Sequence, residues 1–100
     1  MKYNKLIRDK IPEYIKSKGG AAIYHKASEE EYWQKLKEKL QEEVVEFLEA
    51  ESVEELADVS EVIDAIMVYK QISEEDLQDS KSKKVEARGG FKDRLILDES

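Results

Sequence analysis

Apolar residues recur at helical spacing between Ser28 and Glu49, where Trp33, Leu36, Leu40, Val44 and Phe47 fall three or four positions apart. Ser28 precedes them and Glu31 follows three residues later, a capping-box pattern, so the spacing predicts a helix over about 29–49. A second capping box, Ser52 with Glu55, opens another helix that carries Leu56, Val59, Ile63, Ile66 and Met67 as far as Tyr69 or Gln71. Apolar side chains occupy most of its circumference. Such a helix needs several partners, which predicts a central position or a subunit interface.

Ser73 caps a more polar helix through about Val85, and Gly89-Gly90 ends it before Phe91. Residues 1–20 read as an extended start followed by a short helix, with Pro12 in its first turn and Gly19-Gly20 as its stop. Leu6, Ile7, Ile11 and Ile15 are the apolar positions of that region. AAIYH, Ala21 to His25, is too short for a substantial helix, and the tail FKDRLILDES is read as a short strand or ordered extension for which AAIYH is the candidate partner. The pattern therefore predicts an all-α protein, an antiparallel bundle of about four helices with at most a short extended pair at its ends. No internal repeat or low-complexity linker interrupts it.

A chain of 100 residues is expected to form one domain around one core. Charged residues make up 41% of it, against about 25% in average proteins, yet the apolar content argues for a folded chain. The net charge of -7 argues against nucleic acid as a partner, because phosphate affinity is built from clustered Lys and Arg. No apolar run approaches the roughly 20 residues that span a bilayer, and MKYNKLIRDK lacks the apolar segment of a signal peptide, so the expectation is a cytoplasmic protein without a membrane partner. Without Cys, any metal must be held by oxygen or by the lone His25, and oxygen ligands favour magnesium, manganese or calcium. His25 stands outside every cluster and is assigned no ligand role.

Helical projection puts Glu43 beside the stripe of Leu36, Leu40 and Phe47, with Glu46 next to it, while Glu42 and Glu49 take the solvated face. On the next helix Glu55 projects between Val62 and Ile66, with Asp58 beside it and Glu61 toward the polar side. Asp64 also projects into an apolar arc, between Val53 and Ala57, as a further acidic participant or a buried, hydrogen-bonded group. If the chain reverses around Ala50 and Glu51, positions whose numbers have equal sums face each other: Glu43 meets Asp58, and Glu46 meets Glu55. The two levels lie about 4.5 Å apart at 1.5 Å per residue, between axes packed about 8 to 10 Å apart. Unneutralised, such carboxylates repel and raise one another's pKa; a divalent ion reverses that logic. Local alternatives exist, Glu55 as part of a capping box and Glu43 as the partner of Lys39, but the joint register favours a metal site.

EEVVE followed by ELAD is similar to the EExxE and ExxD signature of the MazG-like all-α nucleoside triphosphate pyrophosphohydrolases. YNKLIRDKIPE and the late GGF look like those of small stand-alone members related to phosphoribosyl-ATP pyrophosphohydrolase, and the resemblance covers nearly the whole chain. It implies magnesium ligation by Glu43, Glu46, Glu55 and Asp58, helical oligomers with composite sites, and cleavage of NTP to NMP and pyrophosphate. A homodimer or homotetramer is then expected, with nucleotide-pool house-cleaning as a role. The gap between the two motifs is shorter than in many members, which leaves the pocket cramped or completed by another subunit.

On this reading Mg²⁺, or Mn²⁺, bridges an acidic protein and an anionic nucleoside triphosphate during hydrolysis at the α-phosphorus. Glu42, Glu43 and Glu46 are the candidate catalytic residues; Glu42 or Glu46 would take the proton of the attacking water, and the sequence does not choose between them. Lys39 is either an ion-pair partner or a phosphate contact. Arg8, Lys10, Lys81, Lys84 and Arg88 resemble the basic positions that flank such sites, although the last three equally suit a solvated helix end. Tyr32 and Trp33 could stack on a base, but Trp33 falls on the core stripe. The competing readings are a phosphoribosyl-ATP pyrophosphohydrolase-like enzyme and a non-catalytic helical module that binds a divalent ion or docks a basic partner.

Overall fold

Ser28, Ser52 and Ser73 each start a helix by accepting a hydrogen bond at Oγ from the backbone N–H three residues on, at 3.2, 3.3 and 3.0 Å. The computed structural model describes residues 3–100; Met1 and Lys2, part of the expected extended start, lie outside the described residues. Its helices are α1 (Ile11–Ser17), α2 (Glu29–Ala50), α3 (Val53–Lys70) and α4 (Glu74–Arg88), so the chain is all-α with the element order read from the pattern. Among the described residues no helix is long and apolar enough to cross a membrane.

Two residues reverse the chain between α2 and α3. Glu51 closes α2 in the left-handed conformation, with φ 52° and its N–H on the Phe47 carbonyl at 2.7 Å, and Ser52 is already the cap of α3. Gln71 ends α3 in the same conformation, φ 57°.

Among the described residues α2 and α3 are the only helices that pack on each other. Leu36, Val62 and Met67 are buried between them, flanked by half-buried Leu40, Phe47, Val59 and Ile66. At the open end of the hairpin the rings of Trp33 and Tyr69 stack with centroids 5.2 Å apart, and Tyr32 meets Tyr69 edge-on at 5.8 Å. Trp33 is half-buried, with the Lys70 ammonium 4.4 Å above its ring.

Three expectations fail within a single chain. The extended pair does not form: among the described residues there is no strand, and Ile23, Phe91, Leu95, Ile96 and Leu97 are exposed. A lone extended segment gains no ladder, so AAIYH and the tail stay single. Of the bundle, one chain forms the α2–α3 hairpin, because among the described residues neither α1 nor α4 packs on another helix. Asp64 is exposed rather than buried, since the arc it shares with Val53 faces away from α2.

Helical phase sorts the rest of the hairpin into two sides. At 100° per residue, Val44 and Leu48 of α2 fall on the same side as Leu56 and Ile63 of α3, and all four are exposed. Glu42, Glu46, Asp58 and Glu61 fall on the opposite side, which residues 3–10 cross.

Candidate metal centre

The acidic side of the hairpin centres on Glu43, which the packing of α2 on α3 leaves only 6% exposed. Carboxylate oxygens of Glu43, Glu55 and Asp58 lie within 4.8 Å of one another. Each comes from a helix whose register is fixed by the two-residue turn and by the apolar side chains packed between α2 and α3, so the backbone supplies the convergence. Lys39, one helical turn before Glu43, reaches one of its oxygens at 3.1 Å. Arg8 Nη2 donates to Asp58 Oδ1 at 2.7 Å, while Nη1 stands 3.9 Å from Glu61.

Two oxygens of the trio remain without partners. Glu43 Oε2 and Glu55 Oε2 are both buried and accept no hydrogen bond. A buried carboxylate oxygen without a donor is costly, and each such group calls for an explanation, a bound ion among them. An all-oxygen donor set of carboxylates suits a hard divalent ion such as Mg²⁺ or Mn²⁺. The residues present therefore fit the cation.

Glu46 and Glu42 are placed differently from their expected positions. Glu46 is exposed at the rim and outside the trio, because its phase turns it away from the contact line. The negative charge of Glu43 nearby, with some burial and the charges of Glu42 and Glu55, pushes its carboxyl above the usual range. Glu42, expected on the solvated face, is half-buried beneath Lys5 at 3.1 Å and Lys39 at 3.5 Å. Burial pushes its carboxyl up, but the hydrogen bond from Lys5 and the charge of Lys39 outweigh that and hold it below its ordinary value. Lys5 is raised in turn, chiefly by its hydrogen bond to Glu42.

The basic residues divide by element. Lys39 and Arg8 touch the trio directly. Lys10 caps α1 and forms no ion pair among the described residues, and Lys81, Lys84 and Arg88 lie exposed on α4, away from the hairpin. Lys5 escaped the sequence reading, as did the bond from Lys35 Nζ to the Asn4 carbonyl at 2.9 Å. The available signal was the spacing of Lys5 and Arg8 around Leu6-Ile7, which sets two cations on one side of two half-buried apolar residues. His25 meets Glu31 at 2.8 Å and stays outside the site.

Fold and site together define a helical hairpin with an incompletely neutralised carboxylate trio, Glu43 buried and Glu55 and Asp58 half-buried. No family model matches the chain, and no solved structure matches it. Over 47 residues the chain is 43% identical to an uncharacterized protein of Mycolicibacterium smegmatis, a stretch covering 47% of this chain and 48% of that protein. The chain thus spans about half the length of this relative.

Proposed function

We propose that the protein is a Mg²⁺-dependent nucleoside triphosphate pyrophosphohydrolase of the MazG-like kind, cleaving NTP or dNTP to the monophosphate and pyrophosphate. The observation that carries this reading is that Glu43 and Glu55, which with Asp58 bring carboxylate oxygens within 4.8 Å of one another, each keep a buried oxygen without a partner. Glu43, Glu55 and Asp58 would hold the ion, with Glu46 at its rim. When bound, Mg²⁺ supplies charge neutralisation and Lewis acidity toward the phosphate and the attacking water.

Of the two carboxylates left open as proton acceptors, their placement favours Glu46. Both oxygens of Glu42 are engaged by lysines, whereas Glu46 is exposed at the rim and forms no ion pair among the described residues, which leaves it open to the attacking water. Lys39 and Arg8 are the cations placed to meet substrate phosphates. Lys81, Lys84 and Arg88, carried on a helix that packs on no other helix among the described residues, would serve the site of another copy. A homodimer or homotetramer accommodates this, and the unpartnered apolar side of the hairpin supports it.

The test is pyrophosphate release from a panel of normal and modified NTPs and phosphoribosyl-ATP, with Mg²⁺ or EDTA, for wild type beside Glu43→Gln and Glu55→Gln. Metal-dependent monophosphate and pyrophosphate formation, lost in both variants, is the expected result. Binding of Mg²⁺ without turnover of any nucleotide would sink the enzymatic reading and leave a metal-stabilised interaction module.

A further inference from the structure

Residues 3–10 cross the acidic side of the hairpin and are tethered there largely by charge. Lys5 holds Glu42 at 3.1 Å, Arg8 holds Asp58 at 2.7 Å, and Lys35 holds the Asn4 carbonyl at 2.9 Å. The apolar contribution is small, since only Leu6 and Ile7 of this stretch are half-buried. Asp58 therefore has two functions: it anchors the segment, and it belongs to the trio whose oxygens lie within 4.8 Å.

Arg8 and Lys39 are incomplete counter-ions for that trio. They reach one oxygen of Asp58 and one of Glu43, yet Glu43 Oε2, on a side chain 6% exposed, and Glu55 Oε2 stay unpartnered. The Arg8 guanidinium bonds to neither of these inner oxygens, whereas a compact divalent ion among the three carboxylates would satisfy them. A divalent ion at Asp58 would also repel the neighbouring guanidinium, 2.7 Å from that carboxylate.

We propose that Arg8 is the cation the site carries before a divalent ion arrives, and that the ion displaces it from Asp58 and releases residues 3–10 from the hairpin. This inference rests on the reading of the trio as a divalent-cation site. The segment is then a metal-responsive strap, and the freed guanidinium becomes available to an anionic ligand at the mouth of the site. The strap competes with the ion, so its removal favours ion binding.

The experiment combines backbone hydrogen exchange of the full chain with Mg²⁺ titration by calorimetry, on wild type, Arg8→Gln and Glu55→Gln. Exchange is compared in EDTA, in saturating MgCl₂ and in KCl of matched ionic strength. Expected in wild type is faster exchange over residues 3–10 with MgCl₂ and a much smaller effect with KCl. Arg8→Gln should exchange rapidly there even in EDTA and bind Mg²⁺ about threefold to tenfold more tightly, as removal of a competing closed state requires. Glu55→Gln should lose both responses. If Mg²⁺ binds wild type but not Glu55→Gln, while the strap stays protected or Arg8→Gln binds no more tightly, the strap inference fails alone and Arg8 merely orients Asp58. Equal opening by KCl also overturns it. If neither wild type nor Arg8→Gln binds Mg²⁺, the metal reading fails and the strap inference with it.

Discussion

Glu43 and Glu55 share a site, yet they should respond differently to loss of charge. Lys39 lies 3.1 Å from Glu43, so Glu43→Gln relieves repulsion within the trio but also removes a partner of a largely buried ammonium. Glu55 has no cation within ion-pair distance among the described residues, and one of its oxygens is buried without a donor. Glu55→Gln removes that uncompensated charge and keeps a side chain that suits the third position of the capping box. In EDTA the variant should therefore be more stable than wild type by about 1 kcal/mol, the order of the cost of an unsatisfied buried group. Thermal unfolding would show this as a rise of roughly 4–8 °C, with loss of the extra stabilisation that Mg²⁺ confers on wild type. A fall in stability without metal would mark Glu55 as a structural group and remove the main support for the site.

At the scale of elements, the short turn and the strap each permit a direct test. Glu51 occupies the left-handed region at φ 52°, which costs a non-glycine residue about 1–2 kcal/mol. Glu51→Gly should therefore stabilise the hairpin by up to about 1 kcal/mol, measured by urea unfolding, despite glycine's greater freedom in the unfolded chain. The strap makes a pH-dependent contribution through Lys5 and Glu42. Glu42 is lowered from 4.5, so its share is present above that value and is lost as pH falls through the lower folded value. Lys5 is raised from 10.5, so its share is full below that value and is lost as pH rises through the higher folded one. Near neutral pH, Lys5→Met should speed proteolytic cleavage or exchange within residues 3–10, and the difference from wild type should vanish once acid protonates Glu42. Much of this layout was legible beforehand: Ser28, Ser52 and Ser73 marked the helix starts, and the equal-sum register set Glu43 opposite Asp58. The second pair of that register, Glu46 with Glu55, does not form part of the trio, because Glu46 turns to the rim. What could not be read was the fate of segments whose partners are absent from the pattern. The tail's Leu95-Ile96-Leu97 looks like a strand but finds no ladder, and α3, apolar nearly all round, gave no cue that Val53 and Asp64 would face outward.

The whole molecule exposes far more surface than a self-sufficient fold of its mass. Its accessible area is 9413 Å², where a compact monomer of this size would show about 5,800 Å². The Cα radius of gyration is 17.9 Å, against about 13 Å for a compact 100-residue domain. The excess has a direction. Val44, Leu48, Leu56 and Ile63 lie along the side of the hairpin opposite the carboxylates, so a partner could cover them without obstructing the site. A second hairpin packed there would complete the core that α2 and α3 only begin, and would turn the expected bundle of helices into a product of two chains. Folding should then depend on association: the midpoint of thermal unfolding should rise with protein concentration, and light scattering should report a dimer or tetramer. Leu56→Glu places a charge in the centre of that side and should yield monomers with a lower, concentration-independent midpoint. Leu48→Glu, one helix over, should do the same, whereas Val85→Glu on α4 tests whether the projecting helix belongs to the same contact. A wild-type chain that unfolds at one temperature at every concentration and scatters as a monomer would remove the oligomer. Lys81, Lys84 and Arg88 would then have no neighbouring site to serve, and phosphate binding would fall to Arg8 and Lys39 alone.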